Sequence, residues 1–401
     1  MSVKKQREKL VVQKYGGATL SDPTKIKQVA QKIFDLHKSG LQVVVVVSAM
    51  GETTNKLIEL AHQVSARPSL RELDMLLSVG ERISMSLLSM ALNDLGCLAI
   101  SFTGSQAGIF TDDSHVNANI IDVKPFRVEG ALKENKIVIL AGFQGVSPNT
   151  KEITTLGRGG SDISAVAMAG YLKADRCEIL KDVVGVYTAD PKLVPSAKPL
   201  AKLNYEHLLE MTTWGAKVLH RRSVSLAAEK QVNLYVGAAA NSQNTGTTIS
   251  DSVNFETQFV LAINSFSSVY ELKFNTASEK FKDEFSILLQ NNQIAQMQFL
   301  FSNSHKHYFT APQETLASVH EFETLQSFYK ITTSKLASVS ATYSQTTSEK
   351  LLIETRNILT QKNIEIYEGF KTKFSLHFII NSQQKDAAIQ ILHDLISNSN
   401  F

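Results

Sequence analysis

Lysine, glycine and acidic residues gather in two short segments of this sequence, and both have the composition of an anion site. The first is Lys14-Tyr15-Gly16-Gly17-Ala18-Thr19. Adjacent glycines let backbone N–H groups approach an anion closely, and a neighbouring ammonium is a point charge suited to a phosphoryl group. A tight strand-to-helix turn beside a solvated lysine would read the same way, so this segment alone leaves both readings open. It is not a P-loop, because the G-x-x-x-x-G-K-[ST] spacing is missing. The second segment runs Ala141-Gly142-Phe143-Gln144-Gly145 and then Thr155-Leu156-Gly157-Arg158-Gly159-Gly160-Ser161-Asp162-Ile163-Ser164-Ala165. Glycine-rich backbone ahead of a helix N-terminus holds anions, and the Arg158 guanidinium can grip a carboxylate or phosphate with two bonds. Asp162 fits an N-cap or first-turn acid stabilised by the helix dipole. It fits equally an acid that holds the lysines that hold phosphates.

The elements that must position these residues are legible from hydrophobic patterning. Leu10–Gln13, Leu41–Val47, Leu98–Phe102, Ile137–Ala141 and Cys177–Leu180 read as strands, most of them continuously apolar. Strands buried on both faces have that pattern. Pro23–Lys38, Glu72–Leu95 and Asp162–Leu172 carry helical periodicity, with Pro23 at a first turn and Gly40 and Gly96 just past helix ends. The alternation predicts an α/β fold with a mostly parallel sheet sandwiched by helices. Ligands of such sheets bind outside the carboxyl ends of the strands, where nearly all the glycines fall.

Composition divides the chain in two. Of 20 Gly, 19 lie at or before Gly246, whereas 15 of 20 Phe lie between Phe255 and Phe401. After residue 250 there are 12 Lys+Arg against 15 Asp+Glu, and before it 29 against 23. With 401 residues and about 100 to 200 residues per domain, we expect a first domain over 1–250 and a second over 251–401. A 43% hydrophobic, 20% charged chain with 8 Pro excludes disordered, collagen and coiled-coil compositions. A net charge of +3 is far from a nucleic-acid footprint. Cys97 and Cys177, the 2 cysteines, form neither a CxxC pair nor a metal-like cluster, so no disulfide framework and no metal site are expected, in keeping with a reduced, cytoplasmic setting. The amino end MSVKKQREKL leads into no apolar export segment, and Leu41–Val47 is far short of the roughly 18 apolar residues of a membrane span, so neither export nor membrane insertion is expected.

Beyond spacing, KYGGAT, VVVVVSAMG, LLSVGERIS, TGSQAGI, AGFQG, TLGRGGSDISA, DVVGVYTADPK and GAKVLH occur in order over residues 10 to 250. In this the chain resembles the aspartate kinases of the amino acid kinase family. The resemblance implies phosphorylation of the L-aspartate side-chain carboxylate to 4-phospho-L-aspartate with ATP and Mg²⁺, at the head of lysine, threonine and methionine biosynthesis. It implies that Lys14 contacts the transferring phosphoryl group, that Gly16 and Gly17 line the phosphate site, and that Asp162 organises the phosphate-binding lysines. Lys217 would reach the nucleotide phosphates. Glu81 would pair with the substrate ammonium, Arg158 with its carboxylate, and Thr19 and Ser48 would donate hydroxyls. Asp182, Tyr187, Asp190 and Lys192 would lie on the nucleotide side. Read without that context, Glu81 is a solvated helix acid paired with Arg82 or a residue one turn away.

The chain departs from the family pattern at Ala18, at Lys181 where a threonine is usual, at Lys192 for arginine and at Arg221 for proline. Lys192 keeps the charge without the planar fork. None of these removes a core charge, so an active enzyme is expected. The alternatives are a related amino acid kinase with altered substrate and a non-catalytic regulatory subunit. In the second domain, Val269–Phe274, Met297–Phe301, His307–Thr310, Leu336–Thr342 and Phe374–Ile380 read as strands, and Ser278–Gln290, Gln313–Leu325, Ser348–Gln361 and Lys385–Ser397 as helices. A β-α-β-β-α-β order used twice is that of paired α+β ferredoxin-like units, which the resemblance implies are ACT-like regulatory domains that assemble a homo-oligomer. The turn segments Asn275–Ser278 and Tyr343–Ser348 hold neither Pro nor Gly. Without glycine the backbone loses close approach to a ligand, so lost or altered feedback control is expected.

Overall fold

A run of five valines, Val43 to Val47, sits at the centre of the molecule's largest sheet with every side chain fully buried. The structure, a computed structural model, describes residues 9–239, 246–274, 298–302, 306–310 and 329–397. Its backbone packing forms two units. The first holds the described residues through Val186, then Pro199–Leu209 and Lys217–Asn254; the second holds Tyr187–Lys198, Glu210–Ala216 and the described residues from Phe255 onward. Two short segments of the glycine-rich part of the sequence therefore pack with the second unit.

The first unit is built on eight strands in the order Lys202–Leu203, Thr247–Ile249, Leu234–Ala238, Arg176–Lys181, Leu10–Tyr15, Gln42–Val47, Ile137–Ala141 and Ala99–Phe102. Every neighbouring pair is parallel except Leu234–Ala238 with Thr247–Ile249. Tyr15 is in register with both Val47 and Leu180, and Val47 with Ala141, so the central strands end on one line. That line is the edge at which the candidate residues emerge.

Helices cover the sheet for reasons visible residue by residue. Pro23–Lys38 starts on an Asp22 cap that accepts from the Lys25 N–H at 2.9 Å, and buries Ile26, Val29, Ala30 and Ile33 at helical spacing. Those side chains join Val43, Val45, Val47, Leu88 and Leu92 in one core. Each such buried apolar side chain contributes roughly 1.5–3 kcal/mol over exposure. Gly160–Leu172 is rich in small residues and buried from Gly160 to Ala169, which explains its lack of an exposed polar stripe.

One element expected to be continuous is not. Glu72–Leu95 reads as a single helix, but the structure has Leu70–Leu77 and Val79–Asp94 with a break at Ser78. The Ser78 carbonyl accepts the Gln144 side-chain amide at 2.9 Å, so a partner from another segment is built into the break. At the next turn Gly80 lies so close to Ala49 that a Cβ there would be 2.8 Å from the Ala49 Cβ. A small sheet of Ile120–Val123, Ile109–Thr111, Gln144–Val146 and Ile153–Thr155 completes the unit. Its strands, three or four residues each, are too short for periodicity to reveal.

The second unit is one antiparallel sheet in the order Gln298–Ser302, Lys306–Thr310, Val260–Phe274, Tyr329–Tyr343, Ser375–Asn381 and Ile366–Lys371. The strands expected at Val269–Phe274 and Leu336–Thr342 are parts of two 15-residue strands whose pairing is interrupted by register shifts. Glu349–Gln361, capped by the Ser348 hydroxyl, and Lys385–Ser397 are the helices among the described residues here. The helices expected at Ser278–Gln290 and Gln313–Leu325, and the turn at Asn275–Ser278, lie outside the described residues. Phe378 and Phe309 are fully buried, while Phe266, Phe301 and Phe370 flank a core of Trp214, Val269, Leu300, Tyr308, Leu336 and Ile379.

Candidate active site

Parallel register brings three charged side chains together at the carboxyl edge of the first unit's sheet. Lys14 is the penultimate residue of Leu10–Tyr15, and Lys181 is the last of the neighbouring Arg176–Lys181. Asp162 stands in the first turn of Gly160–Leu172, where the helix N-terminus favours a carboxylate. Lys14 Nζ is 2.6 Å from Asp162 Oδ1, and Lys181 Nζ is 3.1 Å from Asp162 Oδ2. Lys181 also donates to the Val218 carbonyl, next to Lys217. Asp162 is a first-turn acid rather than the N-cap, which is Gly159. It also pairs with two lysines, Lys14 and Lys181.

Electrostatics follow from burial. Asp162 is 3% exposed, and burial works against its charge, but Lys14 and Lys181 outweigh burial and hold the carboxyl below its ordinary value. Lys181 moves the other way: burial, aided by the like charge of Lys14, outweighs Asp162 and lowers its pKa. Two ammoniums thus share one carboxylate in a mostly dry place.

Of the two glycines beside them, Gly17 is required by geometry. A Cβ on Gly17 would lie 2.7 Å from the Ala49 carbonyl oxygen. At Gly16 a Cβ would lie 3.8 Å from Lys14 Nζ and 3.9 Å from Lys181 Cγ, so this residue sits between the two lysines. The Gly16 N–H is tied to the Leu180 carbonyl at 3.1 Å, and the Thr19 hydroxyl donates to the Gly16 carbonyl at 2.6 Å. Ser48, half-buried, follows the second strand, and its N–H donates to the Tyr15 carbonyl at 3.1 Å.

Glu81 is buried, not solvated and not paired with Arg82. Its Oε1 accepts the Ala49 N–H at 3.0 Å, and its Oε2 has no partner. Burial is the main reason its pKa is raised to about 7, against the weaker pull of that N–H and of Lys14. An unpartnered buried oxygen marks a place for a donor or cation the protein does not itself supply. Arg158 is exposed on the glycine-rich loop, and Lys217 and Asp182 are exposed as well. Tyr187, Asp190 and Lys192 belong by packing to the second unit, where the Lys192 N–H donates to Asp190 Oδ1 at 2.9 Å.

Two residues with structural parts at this edge were not singled out from sequence. Arg222 donates to the Leu156 carbonyl at 2.7 Å, to the Ala118 carbonyl at 2.6 Å, and to the Asn117 and Asn119 side chains, fastening the base of the glycine-rich loop. His220 packs against Gly159, whose φ of +72° suits glycine and whose Cβ would sit 2.4 Å from the His220 Cβ. The signal available for Lys181 was its departure from the family pattern; Arg222 had none. Among the described residues no group of three or more His, Cys, Asp or Glu is placed to hold a metal ion, and both cysteines are buried and free.

The family described as the amino acid kinase family matches residues 9–238. An aspartokinase of Mycolicibacterium smegmatis is 53% identical over 244 residues, 61% of this chain and 58% of that protein, so this alignment covers little over half of the relative. Aspartokinase 2 of Bacillus subtilis is 38% identical over 402 aligned positions, covering 96% of this chain and 97% of its own length. The crystal structure of Escherichia coli aspartokinase III with aspartate and ADP superposes with a TM-score of 0.80 over 97% of this chain and 100% of that one, at 22% identity, a likeness of fold.

Proposed function

The chain belongs to the amino acid kinase family, in its aspartokinase branch, and from that footing we propose that it transfers the terminal phosphoryl group of MgATP to the side-chain carboxylate of L-aspartate. The observation that carries this reading is Asp162, buried between the ammoniums of Lys14 and Lys181 beside Gly16. A cluster of that kind, at the carboxyl ends of parallel strands, is suited to a polyphosphate.

The chemistry asks modest things of the protein. The aspartate side chain is already ionised at neutral pH and attacks the terminal phosphorus directly, so no general base and no covalent enzyme intermediate are needed. Catalysis becomes a matter of holding two anions in line and neutralising the charge spread over the transferring oxygens. In our reading Lys14 faces that phosphoryl group, the Gly16–Gly17 turn lets backbone approach it, and Asp162 keeps the lysines in place. Magnesium enters with the nucleotide as part of the substrate. Lys217 and Asp182, both exposed, reach toward the nucleotide, while Tyr187, Asp190 and Lys192 keep the nucleotide role that the resemblance implies.

Recognition of the acceptor requires one negative and one positive group at fixed places. We assign the unpartnered Glu81 Oε2 to the substrate ammonium and Arg158 to the α-carboxylate, with Thr19 and Ser48 as hydroxyl donors. Binding the ammonium would draw the Glu81 pKa down from about 7 and complete the hydrogen bonding of its second oxygen. Purified protein given L-aspartate and MgATP should release ADP only when both are present; no aspartate-dependent release would overturn the proposal.

For the C-terminal region we propose that feedback control by lysine or threonine is lost or altered. In the turn Tyr343–Ser348 the polar side chains are committed to local backbone. The Ser344 hydroxyl donates to the Thr257 carbonyl and accepts the Phe259 N–H, Gln345 donates to the Phe255 and Glu256 carbonyls, and Thr347 donates to the Thr372 carbonyl. The same region is proposed to assemble a homo-oligomer, which light scattering before and after truncation at residue 250 would test.

A further inference from the structure

Asp162 needs one lysine to satisfy it as a buried carboxylate, yet two are present. Lys14 and Lys181 have side chains 7% and 21% exposed around a carboxylate that is 4% exposed. The balance is two positive charges against one negative, and burying a surplus ammonium is unfavourable unless something negative completes it. The other acids nearby supply only part of it: burial raises the Glu81 pKa to about 7, so this carboxyl is only partly ionised near neutral pH, and Asp182, exposed at the next position, is the weakest influence on Lys181. Gly16 sits between the Lys14 ammonium and the Lys181 stem, 3.8 and 3.9 Å from where its Cβ would be, and adds no side chain between the two lysines.

Resting on the kinase reading above, we infer that Lys181 is a catalytic residue that contacts the phosphates of the bound nucleoside triphosphate. In this chain the pair held by Asp162 is Lys14 and Lys181. Lys217, expected from the resemblance to be the second lysine of the cluster, is exposed on the segment whose Val218 carbonyl Lys181 grips. That bond also fixes the Lys181 ammonium from two sides, by Asp162 and by Val218, so it is held in place before the nucleotide arrives. The lowered pKa of Lys181 agrees with a cation short of negative partners.

The test is equilibrium binding to the full chain of Mg·AMP-PNP, which carries the triphosphate, and of adenosine, which does not. Lys181→Gln should weaken Mg·AMP-PNP by about tenfold or more and leave adenosine unchanged, while Lys181→Arg, keeping the charge, should restore most of the affinity. A melting curve for each variant guards against misfolding. Unchanged Mg·AMP-PNP affinity in Lys181→Gln, equal losses for both probes, or failure of Lys181→Arg to recover any affinity would each overturn the inference. Binding is read without aspartate, so a chain that binds Mg·AMP-PNP through Lys181 but shows no aspartate-dependent ADP release would sink the acceptor assignment and leave this one standing.

Discussion

Turns in the two units solve opposite problems. At Gly17 a side chain would come within 2.7 Å of a carbonyl oxygen, and at Gly142 within 2.9 Å of both Ser161 and Val46, so backbone strands and helix starts meet with nothing between them. In the turn Tyr343–Ser348 of the second unit, side chains fill that space and bond to the backbone themselves. The first kind of turn brings backbone close to its neighbours without side chains between, with the Gly16 and Gly142 N–H groups tied to the Leu180 and Val47 carbonyls; the second is held by its own side chains. Buried polar groups divide by charge rather than by completeness. In the first unit Glu81 is left with an unpartnered oxygen and Lys14 and Lys181 exceed their carboxylate. In the second unit His377 is bonded on both ring nitrogens, to Ser340 at 2.9 Å and to Thr372 at 3.0 Å, while Asn264 Nδ2, Ser338 Oγ and His393 Nδ1 are unpartnered. The incomplete groups of the first unit include a carboxyl and two ammoniums, and those of the second are an amide, a hydroxyl and an imidazole.

This contrast can be broken most severely at Asp162. Asp162→Asn should lower aspartate-dependent ADP release by about a thousandfold and destabilise the fold by roughly 3–5 kcal/mol by leaving buried lysines without their acid. Residual activity within tenfold of the original, measured at saturating substrates, would mean the lysines are organised by something else.

Glu81 gives the next largest effect. Glu81→Gln should reduce kcat/KM for aspartate by about a hundredfold while KM for MgATP stays nearly constant, a loss expected for a buried charged contact. The pH profile is the sharper measurement. Because the free-protein pKa is about 7, kcat/KM for aspartate should fall as pH drops below that value, and the variant should lose that acidic limb. The sign for stability is opposite. The folded-state pKa lies above the ordinary 4.5, so Glu81 opposes folding increasingly as pH rises from 4.5 through about 7. The variant should therefore melt higher than the parent at pH 8, and a lower melting temperature there would contradict the assigned burial.

In the second unit the expected effects are on shape. His377 is fully buried, its ring 3.7 Å from the Trp214 ring, and burial holds its pKa well below 6.5. A group neutral when folded and protonated when unfolded loses stability as pH falls below the unfolded value, so a melting transition assigned to this unit should weaken below pH 6.5. His377→Ala should cost about 2–4 kcal/mol through the lost packing and the Ser340 hydroxyl left without its imidazole partner, remove that pH dependence, and change kcat per folded molecule by less than about threefold. The smallest expected effect is that of added lysine or threonine, under twofold at millimolar concentration in the ADP-release assay. Micromolar inhibition would show that the Tyr343–Ser348 turn still works with a ligand.

What the sequence made legible follows from the range of each signal. The five long strands and Pro23–Lys38 were readable because a buried parallel strand is continuously apolar and a capped amphipathic helix announces both ends. Lys14, Gly16, Gly17 and Asp162 could be put forward as an anion site because glycine beside charge is a local pattern. Lys181 was visible only as a departure from a pattern; its pairing with Asp162 depends on parallel register across Leu10–Tyr15 and Arg176–Lys181, which no local window contains. The burial of Glu81 depends on Gly80 lying against Ala49, again a contact between distant segments. The break at Ser78 was hidden because both flanking helices keep good periodicity, and the partner of the Ser78 carbonyl is a Gln144 side chain that sequence spacing does not connect to it.

The seat of His220 against Gly159 also bears on how this protein can change over generations. With φ at +72° and the His220 Cβ where a side chain at 159 would have to begin, position 159 takes no side chain while any residue with a Cβ stands at 220. Lineages are expected to keep glycine at 159 whatever side chain they carry at 220. A recombinant that brings any other residue to 159 would inherit a clash at the start of the helix that carries Asp162, even though each half came from a working enzyme.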